Sequence, residues 1–482
     1  MADWIKIDPD DNVAVALSPM DAGAAIPRGH KFAVAPIAAG DRVIKYGHPI
    51  GEAICDIRPG DWVHTHNLKT ALTEGAAHHY SPQARALTPR EPASFLGYPR
   101  ADGRAGVRNE IWILPTVGCV NDVCRRLAQA HDEFARACGL GGVFAFPHPY
   151  GCSQLGEDAD ATRDILAALA RHPNAGGVLL VGLGCENNTM DHMRAALEGA
   201  DTARIQFLVC QEEADELSAG GARIRGLIDV AQRDRRAPLP ASRLVVGLKC
   251  GGSDGLSGIT ANPVVGAFSD RLIAMGGSAI LTEVPEMFGA EDVLLRRCPS
   301  REMFDKAARM IADCKAYYVR HGQPVHENPS PGNKEGGITT LEEKSLGCVQ
   351  KGGSAPVSDV LEYAQTVRRR GLTLLAGPGN DLVSTTALTA AGAQIILFTT
   401  GRGTPFGAPA VTLKIASNRA LAQHKANWID FDAGTVAEGE PIPAAADRLM
   451  EFVLHIASGD GLSKCEINGY REIAIFKNGV TL

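Results

Sequence analysis

The apolar positions of this 482-residue chain change period twice. Near the N-terminus, short runs at 12–17, 31–36, 41–46 and 50–55 are cut by Gly, Pro and Asp turns, the pattern of brief strands in a small β-rich unit. An Ala-, His-, Pro- and Arg-rich stretch at 75–95 reads as a linker. Continuous apolar runs at 110–115, 142–147, 177–182 and 205–210 then predict buried strands, alternating with helices at 122–139, 158–171 and 190–198. Beyond Pro238 the alternation resumes. Strands are predicted at 243–250, 278–282, 372–376, 394–399 and 411–415, with helices at 262–275, 301–321 and 357–370. Strand–helix alternation implies parallel βαβ units. The predicted fold class is therefore α/β: a small β-rich N-terminal domain with its linker (1–92), then two α/β domains with mostly parallel sheets (93–238 and 239–482).

In parallel sheets, ligands bind beyond the carboxyl ends of the strands. Almost every predicted strand end here carries a glycine-rich polar turn. These hold Cys119; Cys152, Ser153 and Gln154; Cys185, Glu186 and Asn187; Lys249, Ser253 and Asp254; Glu283 and Glu286; and Thr400 and Arg402. A single turn of this kind is usually a helix or strand cap; the set together indicates a site. Ser153, Gln154, Asn187, Ser253, Asp254, Asn333, Thr400 and Arg402 are the candidate substrate ligands, Arg402 because a guanidinium can hold a carboxylate bidentately. The segment 328–337, Asn-Pro-Ser-Pro-Gly-Asn-Lys-Glu-Gly-Gly, reads as an irregular active-site loop, because its prolines and glycines break both periods.

His64 and His66 lie two residues apart. On a strand they would share one face, a spacing that suits a metal or a proton relay, or equally a pair of half-exposed surface histidines. The acid/base candidates are His64, His66, Lys249 and Lys334. The metal candidates are His30, His64, His66 and Glu186, with Cys152 and Cys185 as softer donors. The turn cysteines are either iron ligands or small residues packed under tight turns. An iron–sulfur cluster needs three or four converging thiolates, and the carboxylate and imidazole content favours a single harder divalent metal.

Composition narrows the reading. Charged residues make up 21% of the chain, net charge is −7, and no Lys/Arg run stands out, which argues against a nucleic-acid partner. The N-terminus has no apolar core of a signal peptide and no run approaches a membrane span, so a cytoplasmic protein without membrane contact is expected. Twelve cysteines without a CxxC pair exclude a zinc ribbon. The missing GxGxxG fingerprint argues against a nucleotide cofactor and an oxidoreductase. A sugar-acid-binding regulator is a rival from another class, weakened by the polar loops on both α/β domains. A homodimer is expected.

Segments 97–109, 150–154, 250–254, 257–263, 328–348 and 398–406 together resemble the altronate/galactarate dehydratase family of sugar-acid hydro-lyases, and 63–67 lies in a unit that resembles that family's SAF module. The resemblance runs along nearly the whole chain. It implies a divalent metal, Fe2+ ahead of Mn2+, and loss of water from a sugar acid, D-altronate ahead of galactarate, to give a 2-keto-3-deoxy acid. Sulfolactate sulfo-lyase is a more remote alternative, because it divides these parts between two chains. The reaction would need a base at C2, an acid at the C3 oxygen and a cation on the carboxylate.

Overall fold

In the computed structural model, residues 3–21, 25–72, 78–325 and 328–479 are described. Two small antiparallel sheets and a short antiparallel pair, Met20–Asp21 with Ala25–Ile26, form the N-terminal module. One orders Trp4–Ile5, Val13–Ala16, Lys31–Ala33 and Trp62–Val63; the other orders Arg42–Lys45, His48–Ala53 and Leu68–Lys69. Val13, Ala33, Val43, Ile50 and Val63 are buried in the same apolar cluster as Leu244, Val264 and Leu346. Ala14, Ala16, Ile26 and Phe32 form a small cluster within the module, and the rest of its core is welded to the C-terminal domain by shared apolar burial.

The middle domain is a four-stranded parallel sheet of β1 (Glu110–Pro115), β2 (Val143–Ala145), β3 (Ala175–Gly182) and β4 (Ile205–Val209), in the order β2-β1-β3-β4. Alternate residues serve opposite faces. Trp112, Leu114, Val178 and Leu180 pack with α2 (Gly156–Ala170) and α3 (Met190–Ala196), whereas Ile111, Ile113, Leu179 and Val181 pack with α1 (Asn121–Ala137) and α4 (Glu216–Ala231). Covering both faces explains why these strands read as continuous apolar runs. An antiparallel pair, Ser94–Pro99 with Ala237–Pro240, closes the neck of this domain. The linker residues 78–93 run over the C-terminal domain, with Gln83 N–H on the Arg296 carbonyl (2.7 Å) and Arg90 N–H on that of Ala274 (2.8 Å).

The C-terminal domain is an all-parallel seven-stranded sheet. Its strands are β5 (Val245–Cys250), β6 (Ser278–Leu281), β7 (Val357–Leu361), β8 (Gly371–Leu375), β9 (Ile395–Thr400), β10 (Val411–Ala416) and β11 (Phe431–Asp432), ordered β7-β8-β6-β5-β9-β10-β11. Its helices include α5 (Ala261–Ala274), α6 (Arg301–Arg320), α7 (Pro331–Glu335), α8 (Leu341–Cys348), α9 (Asp381–Ala390) and α10 (Ile442–Ser458).

Two sequence expectations are corrected here. Residues 357–370 are not a helix; Val357–Leu361 is the edge strand β7, paired in parallel with β8, and a register shift between Val357 and Asp359 gives its buried Val357, Val360 and Leu361 the i, i+3, i+4 spacing of a helix. Residues 328–337 are not wholly irregular. Ser330 caps α7 by accepting from Asn333 N–H, and Pro331 stands in its first turn, where a missing N–H costs nothing.

Candidate active site

The module meets α7 through two imidazoles. His64 Nε2 lies 2.9 Å from the Lys334 carbonyl oxygen and His30 Nε2 lies 3.2 Å from that of Glu335. The two rings stack at 5.4 Å. Burial, reinforced by the Lys31 ammonium, lowers the pKa of His64, and burial lowers that of His30 against the hydrogen bond to Glu335. Both are neutral at pH 7 and able to accept a proton. His64 and His66 do not share a strand face. The strand ends at Val63, and a turn follows in which Asn67 Oδ1 accepts from His64 N–H at 2.9 Å. His66 is exposed, its ring 5.5 Å from Trp62.

A buried ion network fixes the module's seat. Glu343 on α8 accepts from Lys31 (2.7 Å) and Lys45 (2.8 Å), all three side chains being at most 2% exposed. The two ammoniums outweigh the cost of burying the carboxyl and hold it down at about 2.

At the carboxyl ends of β5 and β6 lies a second network, buried except at Asp381. Lys249 is fully buried between Glu283 and Asp381, the latter at 2.8 Å. These carboxylates keep its pKa far above the ordinary lysine value despite burial. Lys249 is therefore a fixed cation and not a base. Glu283 adopts φ +69°, a left-handed conformation costly for a residue with a Cβ, which aims its carboxylate back at Lys249. Beside it, Cys250 Sγ lies 3.0 Å from Glu286, 3.4 Å from Cys348 Sγ and 2.8 Å from Lys351 Nζ, while Lys344 pairs with Glu286 at 3.1 Å. The Cys348 hydrogen bond and the nearby ammoniums pull the Cys250 thiol down; the same bond and burial push Cys348 up.

Around this network Asn333 Nδ2 donates to the Ser253 carbonyl (2.8 Å). Asp254 accepts from Ser257 and Ser417 (both 2.8 Å) and Asn418 (3.1 Å). Thr400 Oγ1 accepts from Gly403 N–H (2.9 Å). Arg402, half exposed, donates to the Gly332 carbonyl and the Glu335 carboxylate (both 2.9 Å). A cavity of about 10 Å3, the size of one water, is lined by Ser253, Asp254, Lys344 and Cys348 among others. Ser253, Asp254, Asn333, Lys334, Thr400 and Arg402 thus gather with His30 and His64 about α7 and the strand ends.

Ser153, Gln154, Asn187, Cys152, Cys185 and Glu186 lie elsewhere, at the strand ends of the middle domain. Ser153 N–H bonds to Asn187 Oδ1 (2.8 Å). Gln154 Oε1 accepts from Gly151 N–H and Thr162 (both 3.0 Å). Glu186 folds back on its own turn, accepting from Thr116 Oγ1 (2.7 Å) and from the N–H groups of Leu183 (3.0 Å) and Gly184 (2.6 Å). Those bonds hold its pKa down and occupy its oxygens.

Among the described residues, the sequence-derived donors His30, His64, His66, Cys152, Cys185 and Glu186 contain no group of three whose ligand atoms all lie within 4.8 Å of one another. Cys250, Glu286 and Cys348 do, and their geometry could hold a small cation. The charges there are already matched, however. Lys249, Lys344 and Lys351 face Asp381, Glu286 and the lowered Cys250 thiol, burial pushes the Glu283 carboxyl up toward its neutral form, and Lys351 stands on the sulfur a dication would need. The donors fit in distance but not in charge. Glu283, Glu286, Lys344, Lys351 and Asp381 were not singled out as site residues from sequence. Glu283 and Glu286 had a signal in their place after β6, and Lys344, Cys348 and Lys351 in their helical i, i+4, i+7 spacing.

Comparison with known proteins agrees with this architecture. The altronate/galactarate dehydratase SAF domain family matches residues 2–71, the second domain of D-galactarate dehydratase/altronate hydrolase matches 97–232, and the C-terminal domain of D-galactarate/altronate dehydratase matches 241–481. Altronate dehydratase of Bacillus subtilis is 48% identical over 501 residues, covering 100% of both chains. That of Escherichia coli is 49% identical over 495 residues, covering 99% of this chain and 100% of the other. Galactarate dehydratase (L-threo-forming) of Escherichia coli is 33% identical over 490 residues, covering 95% and 93%. With three consecutive domains and full-length relatives in agreement, this chain belongs to the altronate/galactarate dehydratase family of sugar-acid hydro-lyases.

Proposed function

We propose that this chain removes water from a sugar acid, D-altronate ahead of galactarate, and releases a 2-keto-3-deoxy acid. The observation that carries the choice of substrate is the gap in identity: 48–49% to altronate dehydratases against 33% to galactarate dehydratase, each over nearly the full length. The geometry is suited to the chemistry. His64, neutral and half-buried, is the base proposed for the C2 proton, with exposed His66 as a second proton carrier on the same rim. Lys249, a fixed buried cation, opposes the negative charge that builds up when a carboxylate's α-carbon loses its proton. Lys334, half-buried on α7, is the proposed acid toward the departing C3 hydroxyl. Arg402 would exchange Glu335 for the substrate carboxylate, while Ser253, Asp254, Asn333 and Thr400 take hydroxyls; Ser153, Gln154 and Asn187 would reach the substrate from the middle domain.

A metal, Fe2+ ahead of Mn2+, belongs to this reading and when bound would act as a Lewis acid on the carboxylate. The protein is proposed to work as a cytoplasmic homodimer without a nucleotide. A panel of aldonates and aldarates, assayed for 2-keto acid without added nucleotide, tests the proposal. Turnover highest with altronate is expected. Binding without keto acid from any substrate would refute catalysis, and a preference for galactarate would refute the substrate choice.

A further inference from the structure

Free cysteine is ordinarily a buried residue. Among the described residues four cysteines are exposed: Cys55, Cys119, Cys152 and Cys185. The last three sit at one end of one sheet, in the loops that follow β1, β2 and β3. These loops are laced to each other. Gly118 N–H donates to the Tyr150 carbonyl (2.9 Å) and Asn188 N–H to that of Gly151 (3.0 Å). Ser153 N–H reaches Asn187 Oδ1 (2.8 Å) across the end of β1, and Thr116 Oγ1 reaches Glu186 (2.7 Å). Each cysteine adjoins a residue that makes one of these bonds, so the three thiols are carried on one knot.

The knot is built tightly. A Cβ on Gly151, at φ +102°, would stand 1.9 Å from the Thr116 carbonyl oxygen. Ser153 holds φ +59°, a strained conformation of the kind found at functional sites. Two polar groups are aimed at the sulfurs: Ser153 Oγ at Cys152 Sγ (3.9 Å) and Gln211 Nε2 at Cys185 Sγ (3.8 Å). Donors to sulfur are the usual second layer around thiolate-bound iron. Cys210, at the end of β4, is no fourth member. It is half-buried among the apolar residues beside Cys124, and burial pushes its thiol up to about 11.

Spacing argues against one shared ion. Thiolates on one tetrahedral ion, with bonds of about 2.3 Å, stand about 3.8 Å apart. Here the three sulfurs do not all lie within 4.8 Å of one another. A multi-iron cluster spreads its thiolates further than a single ion does. We propose that Cys119, Cys152 and Cys185 hold an iron–sulfur cluster of the [4Fe–4S] class, with one iron left without a protein thiolate. That corner would be open to a hydroxy acid, and Ser153 and Asn187 flank it. The inference rests on the proposed metal-dependent dehydration and says where the iron sits. It also accounts for a metal requirement that the charge-matched Cys250–Glu286–Cys348 group does not meet.

The test is made on substrate-free, full-length protein, purified without air and supplied with Fe2+, sulfide and a thiol reductant. About four irons and four sulfides per chain are expected, with visible cluster absorption. Cys119→Ser, Cys152→Ser and Cys185→Ser should each lose most of the iron and sulfide while keeping the parent's circular dichroism; Cys55→Ser should keep both. Iron without sulfide, no iron in the parent, or full cluster content in all three variants would overturn the proposal. Should a variant not fold, the parent's own iron and sulfide content decides. A chain that turns over altronate but binds no sulfide loses only the cluster. One that holds the cluster but dehydrates no sugar acid loses only the proposed activity.

Discussion

Replacing Glu343 by glutamine should unseat the N-terminal module more than any other single change on its surface. Among the described residues Glu343 is the only carboxylate paired with Lys31 and Lys45, and all three are sealed from water. Its carboxyl moves from 4.5 in the unfolded chain to about 2 in the folded one. At ~1.36 kcal/mol per pKa unit this corresponds to roughly 3 kcal/mol. That figure sits at the lower end of the ~3–5 kcal/mol expected when one partner of a buried ion pair is removed. Lys31, already brought down to about 8 by burial, can shed its proton in the variant and so limit the loss. With an m-value near ~3 kcal/mol/M, the urea midpoint at pH 7 should fall by about 1 M. The pH dependence carries the sign. A carboxyl whose folded pKa lies below its unfolded value contributes stability above pH ~4.5 and loses it as the pH falls toward ~2. The gap between parent and Glu343→Gln should therefore be full at pH 7 and close progressively in acid. A midpoint change under ~0.3 M at pH 7, or a gap of the same size at pH 3, would refute the reasoning.

Two further outcomes are expected. His64→Ala should lower kcat by roughly 10²–10⁴-fold with unchanged circular dichroism, the range for a lost proton-transfer group; turnover within a few-fold of the parent would remove the module from the chemistry. Lys249→Met leaves the buried Glu283 carboxyl without its partner and frees Asp381, so the melting temperature should drop by roughly 10 °C. An unchanged melting temperature would show that the network does not depend on that cation.

Much of the fold was legible in the sequence because most of its sheet strands are buried on both faces. Such strands advertise themselves as unbroken Val, Ile and Leu runs, and Glu110–Pro115 was read at its observed bounds. The edge strand β7 was mistaken for helix because an edge shows the sequence only part of its apolar face, while the Glu, Ala, Gln and Arg after it favour helix. α4 and α9 were not assigned, their Ala, Gly and Thr content giving weak periodicity, and α10 was passed over although its apolar face is well marked. Strand ends were the right places to look for chemistry, but residue type alone could not sort their roles. Glu186 looked like a ligand and is instead consumed by its own turn. Lys249 looked like a base and is instead locked as a cation. Glu343 left no trace, because pairing across 298 residues with Lys45 is set by tertiary packing and not by spacing.

The imidazoles of the module grip α7 by its main chain, at the carbonyls of Lys334 and Glu335, and leave the side chains of those residues out of the grip. Docking and substrate choice are thereby uncoupled at this seam. Residue 335 can be exchanged during evolution or by design to suit a different hydroxyl pattern, while the module continues to recognise the same path of the backbone.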